Sequence, residues 1–322
     1  MRKIARVWFN LGYEEKDPAK IIEYYTECLK IDPNYEPAWN NKGITLHDLE
    51  KYDEAIECYN KALRINKKNM HAWYNKGIAF HDLEKYDEAI HCHNKILKLD
   101  QKNIPALDNK SVALCNLEKY EESIQCYETI LKINPINVHA LINKGLAHRM
   151  LEQYEEAIQC YDKALEIDSK NILAWDNKGN AFDRLEKYNE AIQCYDKVLE
   201  IDPMNVDVWY NKGLAYRKLG RCEEAIHHYN AALRINPMDA DVWYNKGCAF
   251  GILKRYNEAV VCYSKVIELE PNDANAWHNK GNAFYNLKKY NEAIHCYDKV
   301  LKIKPNDMDA RNDKKDTLKL LN

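Results

Sequence analysis

From Glu36 onward the chain carries two short amphipathic patterns in succession. Trp39, Gly43 and Leu46 recur at spacings of four and three, which sets them along one face of a helix. Ala55, Tyr59 and Ala62 do the same further on, with the polar turn Glu50-Lys51 between the two patterns and Leu63-Arg64-Ile65 closing the second. The prediction is a pair of helices.

The pair then repeats. The string Trp39-Asn40-Asn41-Lys42-Gly43 returns at Trp73, Trp175, Trp209, Trp243 and Trp277, and with Leu in the Trp place at Leu107 and Leu141, always at a multiple of 34 residues. Eight units run from Glu36 to Asp307 without insertion or deletion. Pro135, Pro203, Pro237, Pro271 and Pro305 share one place in the junction, where proline stops the second helix. The last place of every unit is Asn or Asp (Asn69, Asn103, Asn137, Asn171, Asn205, Asp239, Asp273, Asp307), suited to accept the free amide protons of the next first helix. Each second helix opens with a glutamate, such as Glu54 or Glu88, which favours the positive end of its dipole.

Trp39, Gly43, Tyr52, Ala55, Tyr59 and Ala62, with a proline five places after the last small site, resemble the tetratricopeptide repeat (TPR). The resemblance implies an all-α fold, a TPR α-solenoid in which antiparallel helix pairs form a right-handed superhelix, with Gly43 and Ala55 small because two helix axes approach there. Departures are Ser111 for Gly, Ser123 for Ala, Cys222 and His93 for Tyr, and Lys42 and its equivalents where the family usually has Leu. Residues 1–35 read as a degenerate first repeat serving as an N-terminal cap. Its second helix is preserved at Ile21, Tyr25, Cys28 and Pro33, and its first is degraded around Trp8 and Leu11. Residues 36–307 are the eight full units. Residues 308–322 read as a C-terminal capping helix with Arg311, Lys315 and Leu318 in the places of Trp, Gly and Phe. Polar terminal elements are what a solenoid needs, so the array reads as complete.

Composition narrows the function. With 47 Lys+Arg against 50 Asp+Glu the formal charge is -3, so no bulk basic field exists to hold nucleic acid or an anionic membrane. No stretch approaches the ~18 apolar residues of a membrane span, and no targeting signal opens the chain. The eleven cysteines lack close pairs such as C-x-x-C, which favours a reducing, cytoplasmic location. Nucleotide-binding, zinc-protease and serine-hydrolase motifs are absent, so the chain reads as non-enzymatic, without cofactor or metal. His47-Asp48 and His81-Asp82 suggest a base and acid, but helical neighbours point about 100 degrees apart, and they read as polar groove residues. His91-Cys92-His93 meets the same objection. Cys58, Cys92, Cys126, Cys160, Cys194, Cys262 and Cys296 share one place and read as small packing residues, because the family's rise per repeat exceeds the ~7 Å limit for a disulfide.

The informative place is the sixth of each unit, which is Asn in all eight: Asn41, Asn75, Asn109, Asn143, Asn177, Asn211, Asn245 and Asn279. Asn costs up to ~0.7 kcal/mol relative to Ala inside a helix. An amide offers a donor and an acceptor together and so can grip a peptide backbone by two hydrogen bonds. The row resembles the asparagine ladder in the superhelix of O-linked N-acetylglucosamine transferases, which holds protein substrates; only ladder and repeat carry over. The alternatives are a relic of duplication or a bond to a neighbouring helix. Lys42 and its equivalents, equally invariant, lie beside the core face and read as snorkelling.

Beside the ladder, Tyr74, Tyr210 and Tyr244 share the preceding place with His278. Ile44, Ile78, Val112 and Leu146 make an apolar stripe, a sign of partner contact. Arg149, Arg184, Arg217 and Lys218 fall at equivalent or adjacent groove places and could pair a carboxylate or phosphate, with Asp207, Asp183 and Asp176 as possible neutralising groups. The two-carboxylate clamp of chaperone-binding relatives is absent, since its Arg place holds Asn and its upstream Lys place holds Pro37, His71 or Pro105. The leading expectation is a scaffold that binds an extended protein or peptide segment in its concave groove. The alternative is a substrate-recruiting subunit for an enzyme, such as a glycosyltransferase, on another chain. Self-assembly through stacked ends is a third reading, and the polar end helix favours a monomer.

Overall fold

A unit that cannot bury its apolar faces alone must stack on its neighbours, and the helices do so in strict order. The computed structural model describes residues 2–321 and contains, among them, nineteen α-helices and no strand. In chain order these are α1 Arg2–Glu14, α2 Pro18–Ile31, α3 Glu36–Asp48, α4 Tyr52–Ile65, α5 Met70–Asp82, α6 Tyr86–Leu99, α7 Ile104–Asn116, α8 Tyr120–Ile133, α9 Val138–Met150 and α10 Tyr154–Ile167. They form one compact unit ending at Ile167. A second unit holds α11 Ile172–Arg184, α12 Tyr188–Ile201, α13 Val206–Lys218, α14 Cys222–Ile235, α15 Ala240–Ile252, α16 Tyr256–Leu269, α17 Ala274–Asn286, α18 Tyr290–Ile303 and α19 Met308–Lys319. Within each unit every helix packs on the next, and odd helices also touch, α3 with α5 and α5 with α7 in the first unit, α13 with α15 and α15 with α17 in the second.

The helix boundaries follow the sequence chemistry. Each of the eight unit-final Asn and Asp residues caps an odd helix by accepting the amide of the residue three places on, for example Asn137 from the Ala140 amide at 3.0 Å and Asp239 from Val242 at 3.0 Å. Odd helices end in a Schellman turn: in α3 the Lys51 amide reaches the Leu46 carbonyl at 2.9 Å and the Glu50 amide reaches His47 at 2.8 Å. This turn demands a left-handed residue. Only one repeat supplies the residue suited to it, Gly220 at φ 75°, while Glu50, Glu118 and Lys254 take φ of 58–59°.

The repeated tryptophan has a specific task. Its indole Nε1 donates to the carbonyl six residues earlier, Trp39 to Pro33 at 2.9 Å and Trp209 to Pro203 at 2.9 Å, which ties the junction to the next helix. In α19 the Arg311 guanidinium makes the same bond to Pro305 at 2.8 Å. The lysine beside it does more than snorkel. Lys246 lies 4.5 Å from the Trp243 ring centre, and Lys144 and Lys314 reach back sixteen residues to Glu128 at 2.8 Å and Asp298 at 2.6 Å on the preceding even helix. Lys212 pairs with Asp196 in the same way.

The core contact is glycine on an odd helix against tyrosine on the following even one. A Cβ added at Gly145 or Gly213 would stand 2.5 Å from Cε1 of Tyr161 or Tyr229. The same contact corrects the expected degradation of α1: a Cβ at Gly12 would stand 2.8 Å from Cε1 of Tyr25. Trp8-Phe9-Asn10-Leu11-Gly12 therefore occupies the place of Trp39-Asn40-Asn41-Lys42-Gly43. The glycine precedes its tyrosine by 25 − 12 = 13 residues where the later units have 59 − 43 = 16. α1 is a complete helix of 13 residues, shifted in register by the three residues missing after Gly12.

The cysteines of the shared place are buried, as packing residues. Desolvation pushes the Cys92, Cys262 and Cys296 thiols up to about 11, so they are not nucleophiles near neutral pH. His93, in a tyrosine place, is buried with no hydrogen bond to Nδ1. Burial, reinforced by His81, lowers its pKa from 6.5 to about 4. His228, stacked on Tyr216 at 4.9 Å and Trp209 at 5.5 Å, is likewise lowered to about 4 by burial and then by Lys212 and His227.

Two outcomes follow. Gly145→Ala drives a methyl group into the Tyr161 ring and should lower stability by about 1–3 kcal/mol in urea unfolding; an unchanged midpoint would show that the contact is loose. Between about pH 6.5 and 4 the unfolded chain takes a proton at His93 that the folded chain refuses, so stability contributed by this residue is present at neutral pH and lost as the pH falls. His93→Tyr, which restores the repeated residue, should reduce the drop in unfolding midpoint between pH 7 and 4.5, by up to about 3 kcal/mol.

Candidate peptide-binding face of the odd helices

Neighbouring odd helices meet with an offset of one residue beyond the repeat, so a side chain contacts the one 35 places on. Two lines of polar contacts result. In the first, the place before the ladder meets the next ladder asparagine: Asn109 Nδ2 donates to the Tyr74 hydroxyl at 3.1 Å, Asn245 Nδ2 to Tyr210 at 2.9 Å and Asn279 Nδ2 to Tyr244 at 2.8 Å. Asn75 Nδ2 reaches Asn40 Oδ1 at 3.3 Å, and His278 extends the line to Asp313 at 2.9 Å. In the second, His47 bonds Asp82 at 2.7 Å, His81 bonds Asn116 at 3.1 Å and Lys218 bonds Asp183 at 2.8 Å. His47 thus finds its carboxylate one repeat on, and its sequence neighbour Asp48 is 3.9 Å away.

All eight ladder residues are half-buried. Where the preceding place does not hold the amide, it turns elsewhere. Asn41 faces Phe9 in that place and donates to Tyr25 at 3.4 Å; Asn143 meets the His139 ring at 3.1 Å, and Asn177 returns to the Leu173 carbonyl at 2.8 Å. Asn211 makes no side-chain hydrogen bond among the described residues. These bonds correct the expected grip. Asn109 gives its second N–H to the Pro105 carbonyl at 3.0 Å and Asn245 gives its second to Asp241 at 2.9 Å, so neither has a proton left for a ligand. Each rung instead offers a tyrosine O–H as donor, and the Tyr74–Asn109 and Tyr244–Asn279 rungs also offer an asparagine Oδ1 as acceptor. Burial raises Tyr210 and Tyr244 above the ordinary phenol range, which keeps those protons in place. The register of α1 adds Asn10, exposed, to the ladder place; the shortened helix hid it from a count by 34.

The basic residues separate. Lys218 is neutralised by Asp183 and lies 5.2 Å from the Tyr188 ring centre, and Arg184 is exposed. Arg149 is in the first unit, half-buried, its Nε without a hydrogen bond. Arg217 is in the second and donates to Asn245 Oδ1 at 3.4 Å. Asp176 accepts from Asn180 at 3.2 Å. The apolar stripe is open in the first unit: Ile44 is exposed, and Val112, Cys115, Tyr120, Leu146 and Met150 line a cavity of about 200 Å³ that Asn143 borders. Among the described residues, no group of three or more His, Cys, Asp or Glu is placed to hold a metal, and no helix is long and apolar enough to cross a membrane.

Comparison with known proteins agrees with this architecture. The tetratricopeptide repeat matches at residues 37–69, 71–103, 138–171, 240–273 and 274–307, and related repeat descriptions match 5–35, 104–137, 160–193, 179–220 and 213–251. Among solved structures, YrrB, described as a TPR protein with an unusual peptide-binding site, is similar at 26% identity, with 60% of this chain and 99% of that one covered and a TM-score of 0.53. The C-terminal part of a TPR repeat-containing protein from Cytophaga hutchinsonii shares the fold at a TM-score of 0.66 and 18% identity, covering 74% of this chain and 98% of that one. A tetratricopeptide repeat protein from Parabacteroides merdae does so at 0.58 and 20%, covering 77% and 98%. An uncharacterized protein of Methanocaldococcus jannaschii is 34% identical over 56 residues, 16% of this chain and 65% of its own length, just under two thirds of that relative. The chain belongs to the tetratricopeptide repeat family and is, as such, a scaffold for protein–protein interaction.

Proposed function

We propose that the odd-helix face binds an extended segment of a partner protein by its backbone. The observation that carries this reading is the tyrosine–asparagine rung. Tyr74 with Asn109 and Tyr244 with Asn279 each leave one donor and one acceptor, the complement of a peptide C=O and N–H, while the Tyr210–Asn245 rung leaves its tyrosine donor and gives its Oδ1 to Arg217. A strand-like peptide needs both, and a buried polar face without them would remain underpaired. The apolar cavity beside Asn143 would take a side chain. The peptide-binding site named for YrrB supports the same use of the fold. The reading needs no chemistry of the chain's own: the cysteines of the shared place and His93 are buried, and His47 is bonded to Asp82.

The test uses a library of fluorescein-labelled ten-residue peptides retained on the immobilised chain. Converting Tyr74, Tyr210 and Tyr244 to Phe removes three donors and keeps the rings. Retained peptides should bind at least tenfold more weakly, about 1.4 kcal/mol or more, and N-methylation of their backbone amides should have a similar effect. Undiminished binding by the triple variant, with its unfolding midpoint unchanged, would sink the rung as the gripping element.

A further inference from the structure

Arg217 is the one basic residue of the predicted cluster in the second unit that is half-buried and held by neutral partners alone. Its guanidinium donates to Asn245 Oδ1 at 3.4 Å, and its Nε is shielded from solvent without an acceptor. Three of the nearby acids are paired elsewhere: Asp183 with Lys218, Glu223 with Arg255 and Glu224 with Arg221. Among the described residues Arg217 makes no ion pair. A half-buried cation without a counter-charge is costly to the folded state, and an incoming anion would relieve that cost.

The polar groups around Arg217 are one-sided as well. Tyr210 accepts from Asn245 and Tyr244 from Asn279, so each hydroxyl has its own proton left to give. The Oδ1 of Asn245 is occupied by Arg217 itself. The guanidinium N–H groups and the two phenolic O–H groups are the donors gathered here, and Arg217 carries the positive charge among them. Planar carboxylate oxygens match a guanidinium edge by paired charge-assisted bonds.

We propose that Arg217, with the hydroxyls of Tyr210 and Tyr244, forms a subsite that takes a carboxylate of the bound peptide, from an Asp or Glu side chain or from a free C-terminus. This rests on the peptide-binding reading above and adds a residue preference to it. Arg184 and Lys218 are excluded, the first by exposure and the second by its pairing with Asp183.

The experiment is a positional-scanning library of ten-residue peptides, made once with free C-termini and once amidated, passed over the immobilised full chain. Wild type should enrich Asp and Glu at one position of the amidated set if the source is a side chain, or retain the free-acid set over the amidated one if it is a terminus. Arg217→Gln should lose at least tenfold of that preference, Arg217→Lys should keep part of it, and Tyr210→Phe with Tyr244→Phe should weaken it; circular dichroism checks that each variant unfolds at the wild-type midpoint. The same acidic preference in Arg217→Gln overturns the subsite. Peptides retained by wild type without any acidic or terminal preference also overturn it and leave the rung reading standing. A library that wild type does not retain at all overturns both.

Discussion

The close approach of glycine to tyrosine is the contact on which the rest of the structure depends. A methyl group at Gly145 would stand 2.5 Å from the Tyr161 ring, so α9 and α10 sit at a separation that favours glycine there, and in the α7–α8 pair the small Ser111 takes the same place. That separation buries the tyrosine ring completely, and burial of the ring is the main apolar gain of each pair. The pairs then have faces left over and must stack. Lysines that lie over the tryptophans and reach to Glu128, Asp196 and Asp298 on the preceding helix hold one stacked pair to the next.

Stacking decides the chemistry of the exposed face. Because odd helices meet with an offset of 35 rather than 34 residues, the ladder asparagine does not meet its own equivalent. It meets the residue one place earlier in the preceding repeat, and where that residue is tyrosine the two share a hydrogen bond. Repetition of sequence thus becomes a row of mixed donor and acceptor pairs. Where the preceding residue is Phe9, the row is broken and Asn41 turns inward to Tyr25.

Much of the fold was legible because the signals were local. Helix periodicity, the Asn and Asp caps, the proline junctions and the small sites depend on neighbours within one unit, and repetition confirmed the caps eight times and the junction prolines five times. The register of α1 was not legible by that method: a count by 34 sets Trp8 in the wrong place, and only the packing of Gly12 on Tyr25 shows three residues missing after the glycine. The left-handed turn was also hidden, since Glu50 and its equivalents carry no sequence mark of positive φ.

The site shows the same division more sharply. By itself the sequence determined that an asparagine stands at one face of every odd helix, with tyrosines before some of them and basic residues two turns on, because residue type and helical spacing are properties of a single chain segment. Only the tertiary structure decided that the N–H groups of Asn109 and Asn245 are consumed within the protein, that Lys218 is neutralised and that Arg217 is not. A hydrogen bond or ion pair between repeats depends on the offset between stacked helices, and that offset is set by how rings and glycines pack.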